Sequence, residues 1–136
     1  MKNILILCAF VLISASTFGQ IIPKGGLVGI HNLSVKLNGS TTEAEYLAAF
    51  ESKWIPVASK AYNCEIHVLK YLRGKSENKV GLLFIYKNAA ERDKLYAADG
   101  KLNEAGQAAY AKVKPIDAEL SKLATTTGSF IDWAVQ

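Results

Sequence analysis

Cysteine, proline and methionine are scarce in this chain: two, three and one among 136 residues. Two cysteines exclude a disulfide-stapled scaffold, and so little proline excludes a collagen-like or proline-rich chain. Charge of one sign never accumulates either. The 16 Lys and Arg are interleaved with 12 Asp and Glu, for a formal net charge of +4, a pattern that excludes a basic nucleic-acid patch. The longest apolar stretch, residues 4–13, is ten residues, about half of the ~20 that a membrane-spanning helix needs. A Gly-x-Ser-x-Gly nucleophile elbow, internal repeats and low-complexity tracts are also missing. Gly25-Gly26-Leu27-Val28-Gly29 has neither the spacing of a phosphate-binding loop nor a helix after it. What remains is half hydrophobic and 10% aromatic, the make-up of one packed globular domain.

Residues 1–19 read as a secretory signal: Lys2 as the basic start, the apolar run 4–13, and the small polar run 14–19 with a cut after Gly19. Cys8 lies inside the apolar run behind Leu7, not where a lipoprotein cysteine stands. Cleavage removes Lys2 and Cys8, leaving an exported chain, periplasmic or secreted, with no membrane anchor. Cys64 is then its one cysteine, so no internal disulfide forms and a packed core must hold the fold. Residues 20–26, with Pro23 and the paired glycines, form a short loose leader, and 27–136 is a single domain.

Periodicity divides that domain. Over residues 27–37, His31, Leu33, Val35 and Leu37 alternate with Ile30, Asn32, Ser34 and Lys36, the period of a half-buried strand. Asn38-Gly39 breaks it, and Thr42-x-x-Glu45 has capping-box spacing. A helix to about Tyr62 follows, with Leu47, Phe50, Trp54, Val57, Ala58 and Ala61 as its apolar stripe, and Pro56 kinking or dividing it. Residues 64–73 alternate as a second strand, 74–78 turn, and the apolar run 79–87 is a central strand paired with it. Asn88 caps an amphipathic segment over 89–98. Gly100 interrupts, and helix resumes over 104–124 with Ala108, Ala111, Ile116, Leu120 and Leu123 facing the core and Pro115 as a kink. Residues 125–128 read as a turn. Residues 129–135 read as a last strand, with Phe130, Asp132 and Ala134 opposite Ile131, Trp133 and Val135.

The order β-α-β-β-α-β is that of an α+β, ferredoxin-like domain: a four-stranded antiparallel sheet with both helices on one face. The other face then carries Ile30, Leu69, Tyr71, Leu83 and Ile85, more apolar surface than water tolerates. Five stretches carry a family resemblance: His31-Asn32-Leu33-Ser34-Val35-Lys36-Leu37, Gly39-Ser40-Thr41-Thr42-Glu43-Ala44-Glu45-Tyr46, Cys64-Glu65-Ile66-His67-Val68-Leu69-Lys70-Tyr71, Lys79-Val80-Gly81-Leu82-Leu83-Phe84-Ile85-Tyr86 and Asn88-Ala89-Ala90-Glu91-Arg92. Over residues 27–135 the chain resembles the dimeric α+β barrel superfamily, which includes antibiotic-biosynthesis monooxygenase-like, NIPSNAP-like and stress-responsive barrel proteins. The resemblance implies a homodimer through the open sheet face, an eight-stranded barrel, and a cavity between sheet and helices. The second helical region, 89–124, is longer than in the shorter members.

The residues that could carry chemistry are few. Neither His31 nor His67 has a partner at metal-ligand spacing, apart from Glu65 two residues before His67, so neither a metal nor a cofactor is implied. Both histidines read first as structural or surface residues and second as pocket lining. Cys64, on the apolar parity of its strand, reads as an inert buried thiol. The sequons Asn32-Leu-Ser34 and Asn38-Gly-Ser40 matter only where exported proteins are glycosylated. His31, His67, Tyr71 and Trp133 are the candidate ligand-binding residues, and His67, Tyr71 and Asp132 the candidate catalytic set. The favoured expectation is an exported barrel that binds a small apolar or aromatic molecule. The alternative is a cofactor-independent monooxygenase- or isomerase-like enzyme in which one of these groups shifts a proton. A structural or interaction role in the cell envelope is the third.

Overall fold

The computed structural model describes residues 22–71 and 79–136. The expected signal segment and the turn at 74–78 lie outside the described residues. Strand β1 is Leu27–Leu37. Its Leu33, Val35 and Leu37 pack on the core, while Asn32, Ser34 and Lys36 between them are exposed. Helix α1, Glu43–Ala49, begins at the expected box: the Thr42 hydroxyl accepts from the Glu45 N–H, and the Glu45 carboxylate accepts from the Thr42 N–H at 2.8 Å.

The helix then widens. Phe50–Trp54 is π-helical and runs directly into α2, Ile55–Tyr62. Pro56 has no N–H to give the Ser52 carbonyl and its ring crowds that carbonyl, so an ordinary turn is disfavoured there. The Ile55 N–H instead reaches back five residues to Phe50. The wide turn also serves the packing. Tyr46, Phe50, Trp54, Ala58 and Tyr62 are buried and stand four apart. In a straight α-helix each four-residue step drifts about 40° around the axis, and the wider turn offsets part of that drift. The expected stripe of Leu47, Val57 and Ala61 therefore lies at the half-buried edges, and Tyr46 and Tyr62 take the centre.

Strands β2, Glu65–Lys70, and β3, Lys79–Tyr86, follow. Helix α3 is only Ala89–Asp93, capped by the Asn88 side chain, and not the expected 89–98. The chain instead doubles back through Gly100, whose φ of 79° suits glycine, so that Tyr96 pairs with Leu102. Helix α4, Glu104–Leu123, buries Gly106, Ala109, Val113 and Leu120, leaving Ala108 and Ala111 exposed. Gly106 fixes that phase: any side chain there would collide with the Leu95 carbonyl oxygen. Pro115 sits within this continuous helix on exposed backbone.

Strand β4, Ala124–Ala134, starts where α4 stops, so residues 125–128 are strand and not turn. Asn38 caps the helix from outside, its backbone N–H donating to the Leu123 carbonyl at 2.9 Å and its side chain to Ser121 at 3.0 Å. With the end carbonyls satisfied, β-branched Thr125, Thr126 and Thr127 follow their preference for a pleated strand. In the described part of the leader, Gly25 and Gly26 are tied to the sheet: the Gly25 N–H donates to the Val135 carbonyl and the Val135 N–H to that of Gly26, both at 2.9 Å.

The sheet order is β2-β3-β1-β4, antiparallel throughout, the expected ferredoxin-like α+β arrangement. One transverse row reads Ile66, Phe84, Gly29, Asp132; the next reads His67, Leu83, Ile30, Ile131. The first row faces the helices, since Ile66 and Phe84 share the core with Tyr46, Trp54, Ala109 and Val113. The second row faces away from them.

Candidate functional site

The helix face of the sheet does not close completely on α1, α2 and α4. A cavity of about 240 Å³ remains, walled by His31 and Leu33 of β1, Leu82 and Phe84 of β3, and Tyr46, Phe50, Trp54 and Tyr62 of the first helical region. Tyr96, Asp117 and Thr126 complete it. A second hollow of about 380 Å³ shares Tyr46, Phe50, Asp117 and Thr126 and adds Leu120, Ser121, Ala124 and Thr125. The two are neighbouring lobes of one cleft that opens between α4 and β4.

The π-helical stretch shapes the aromatic wall. Phe50 and Trp54 stack with ring centres 4.7 Å apart, Tyr46 lies 5.9 Å from Phe50, and Trp54 meets Phe84 edge-on at 6.4 Å. His31 continues the wall, 4.3 Å from Phe84 and 5.4 Å from Phe130. Such offset and edge contacts hold the rings in fixed orientations.

Among the polar groups at this wall, two bear most on its chemistry, Asp117 and His31. The Trp54 indole donates to Asp117 Oδ1 at 2.6 Å, fixing the carboxylate at the junction of the two lobes. Burial, and next the charge of Asp117, push the Tyr46 phenol above its ordinary value. His31 is the second group. Burial holds its pKa below the usual 6.5, the Asp132 carboxylate opposes this more weakly, and Arg92 adds to the lowering. The imidazole is therefore neutral at pH 7 and offers one lone pair. Gly29 leaves the space between the partners bare: a Cβ there would lie 2.9 Å from Asp132 Oδ1 and 3.9 Å from His31 Nε2. Behind them Arg92 pairs with Asp132 at 2.9 Å and lies 4.4 Å over the Tyr96 ring. The Tyr86 hydroxyl is sealed from water without a hydrogen-bond partner, with Cys64 and Tyr96 beside it but outside bonding geometry. Burial raises the Cys64 thiol to about 11, which keeps it protonated and unreactive at neutral pH.

Of the residues singled out in the sequence, His31 lines the cavity and Asp132 stands behind it. His67 does not join them. It lies on the other face of the sheet, bonded to Glu65 at 2.7 Å and exposed. Tyr71, just past β2, is exposed, and Trp133 is 59% exposed on that same open face. Strand pleating sends Asp132 and Trp133 to opposite sides, so His67, Tyr71 and Asp132 do not share a concavity. Tyr46, Tyr62, Arg92, Tyr96 and Asp117 were not singled out. Asp117 was detectable, since it lies four residues after Val113 and three before Leu120, a carboxylate on the buried stripe of a helix. Among the described residues no group of three His, Cys, Asp or Glu is placed to hold a metal ion.

No family model and no curated protein matches the sequence. Solved structures do match. A NIPSNAP family protein from Agrobacterium tumefaciens is similar with a TM-score of 0.52 at 12% identity, over 87% of this chain and 92% of that one. The chain has the NIPSNAP-like α+β fold. A second NIPSNAP family protein of unknown function from the same organism gives 0.49 at 12% identity, over 81% and 89%. A variant of SnoaB, a cofactor-independent oxygenase from Streptomyces nogalater, gives 0.49 at 13% identity, over 82% and 95%. At these identities the likeness is one of fold, and the NIPSNAP-like sheet leaves the cleft on its helix face.

Proposed function

We propose that the chain is an exported protein that pairs through the open face of its sheet and holds a small, largely apolar or aromatic molecule in the cleft between sheet and helices. The aromatic cleft is the observation that carries this reading. Its inner lobe, about 240 Å³, is slightly below the ~300–1,000 Å³ of sites for drug-sized ligands, which suits a compound of one or two rings. Pairing is supported by Ile131 and Trp133, 53% and 59% exposed at one edge of the open face, and by Leu69, 39% exposed at its other edge. Native mass spectrometry of protein purified from its producing cell, followed by denaturation, tests all three parts. The expected result is a dimer of chains beginning near Gln20 with extra mass that leaves on denaturation. Bare monomers retaining Met1 would contradict it.

One observation favours a second reading, a cofactor-independent oxygenase or isomerase. His31 presents a neutral imidazole to the cleft with the Asp132 carboxylate close by, an arrangement in which it can accept a proton from a bound molecule and Asp132 can stabilise the imidazolium formed. Turnover lost in His31→Gln with ligand affinity kept would support this reading.

A further inference from the structure

Asp117 is out of place in a cleft that otherwise suits an uncharged ring. It is half-buried among Tyr46, Phe50 and Trp54, and a carboxylate so placed calls for a cation. Among the described residues no Lys, Arg or His pairs with it. The groups that hold it are neutral: the Trp54 indole at 2.6 Å and the nearby Tyr110 hydroxyl. Among the described residues the only basic side chain lining the same lobe is His31, neutral at pH 7. Tyr46, Phe50 and Trp54 line the same lobe as the carboxylate, and aromatic rings attract positive charge.

We infer that the molecule received by the cleft is a small organic cation, an alkyl- or aryl-substituted quaternary ammonium, with its charged head against Asp117 and beside the rings of Tyr46, Phe50 and Trp54. This rests on the reading of the cleft as a ligand site and narrows it to a charge class. The carboxylate supplies attraction and the rings replace the water that a weakly hydrated ammonium gives up. Trp54 plays two parts, since its N–H fixes Asp117 while its ring forms the wall.

The test compares two probes of one shape, phenyltrimethylammonium and the uncharged tert-butylbenzene, by tryptophan fluorescence and ligand-observed NMR at pH 7.5. The cation is expected to bind at least tenfold more tightly. Asp117→Asn, which keeps an acceptor for Trp54, is expected to weaken the cation tenfold or more and leave the neutral probe unchanged. Tyr46→Leu provides a second variant that keeps the carboxylate and removes one ring, with an expected threefold or greater loss for the cation alone. Circular dichroism confirms that each variant is folded. Equal binding of both probes would overturn the charge class while leaving the cleft as a site. Binding of neither would overturn the site itself and the class with it. A cation preference untouched by Asp117→Asn would overturn the assignment to this carboxylate.

Discussion

His31 illustrates how burial sets chemistry at a single residue. Its pKa lies below 6.5 because the cavity wall disfavours the charged ring, and Asp132 only partly offsets this. Asp132→Asn removes the opposing charge and frees Arg92, and both changes favour the neutral ring. The His31 titration followed by NMR is therefore expected to move lower still, and an upward move would contradict the assignment. The linkage has a definite sign. With the folded value below the unfolded one, the unfolded chain takes up the proton first, so His31's contribution to stability is intact above about pH 6.5. It is lost progressively as pH falls toward the folded value. Cys64 gives a second check at this scale. A thiol raised to about 11 is expected to resist iodoacetamide at pH 8 in the folded protein and to react after denaturation, as peptide mass analysis would show; rapid alkylation of the native chain would contradict it. Sequence parity placed Cys64 correctly, because alternation in a strand is a local property. It could not bring Asp132 to His31 or separate it from His67, because that depends on which strands are neighbours in the sheet.

At the scale of elements, caps and close approaches decide boundaries. Thr42→Ala removes the hydroxyl that accepts from the Glu45 N–H at the start of α1, leaving the backbone N–H of residue 42 to the Glu45 carboxylate, and is expected to cost about 1 kcal/mol in a urea titration; an unchanged midpoint would show that the hydroxyl cap is not formed in solution. Gly106→Ala drives a methyl group into the Leu95 carbonyl and the Leu102 side chain, with an expected loss of roughly 1–3 kcal/mol, whereas Ala108→Gly on the exposed face costs about 1. The capping box and the Asn88 cap were readable because each is a pattern within four residues. Two other features were not. The phase of α4 is set by a backbone 11 residues away in the chain at Leu95, so the exposed Ala108 and Ala111 looked equivalent to the buried Ala109. The threonines after α4 resembled a turn because the group that caps the helix, Asn38, lies 83 residues earlier than the Ser121 carbonyl it bonds. The π-helical stretch left a fainter trace, aromatic residues four apart with a proline two residues on, which a strict three-and-four stripe passes over.

For the whole molecule, element order and strand alternation sufficed to give the ferredoxin-like sheet and to sort its two faces. Cavity shape was not readable, since it depends on how far α1, α2 and α4 stand off the sheet. The two faces have different expected roles. Ile131→Glu changes a residue already 53% exposed in the single chain, so the fold should survive. A charge at the proposed dry seam costs several kcal/mol, and sedimentation is expected to show monomer where the unaltered protein shows dimer; an unaltered dimer would place the seam elsewhere. The proposed ligand site is the helix-side cleft and not the open sheet face. Chemical-shift mapping with a small aromatic probe such as indole tests it most directly. Perturbations are expected to concentrate at His31, Tyr46, Trp54 and Thr126. Perturbations centred on Leu69, Ile131 and Trp133, with the cleft residues silent, would contradict it.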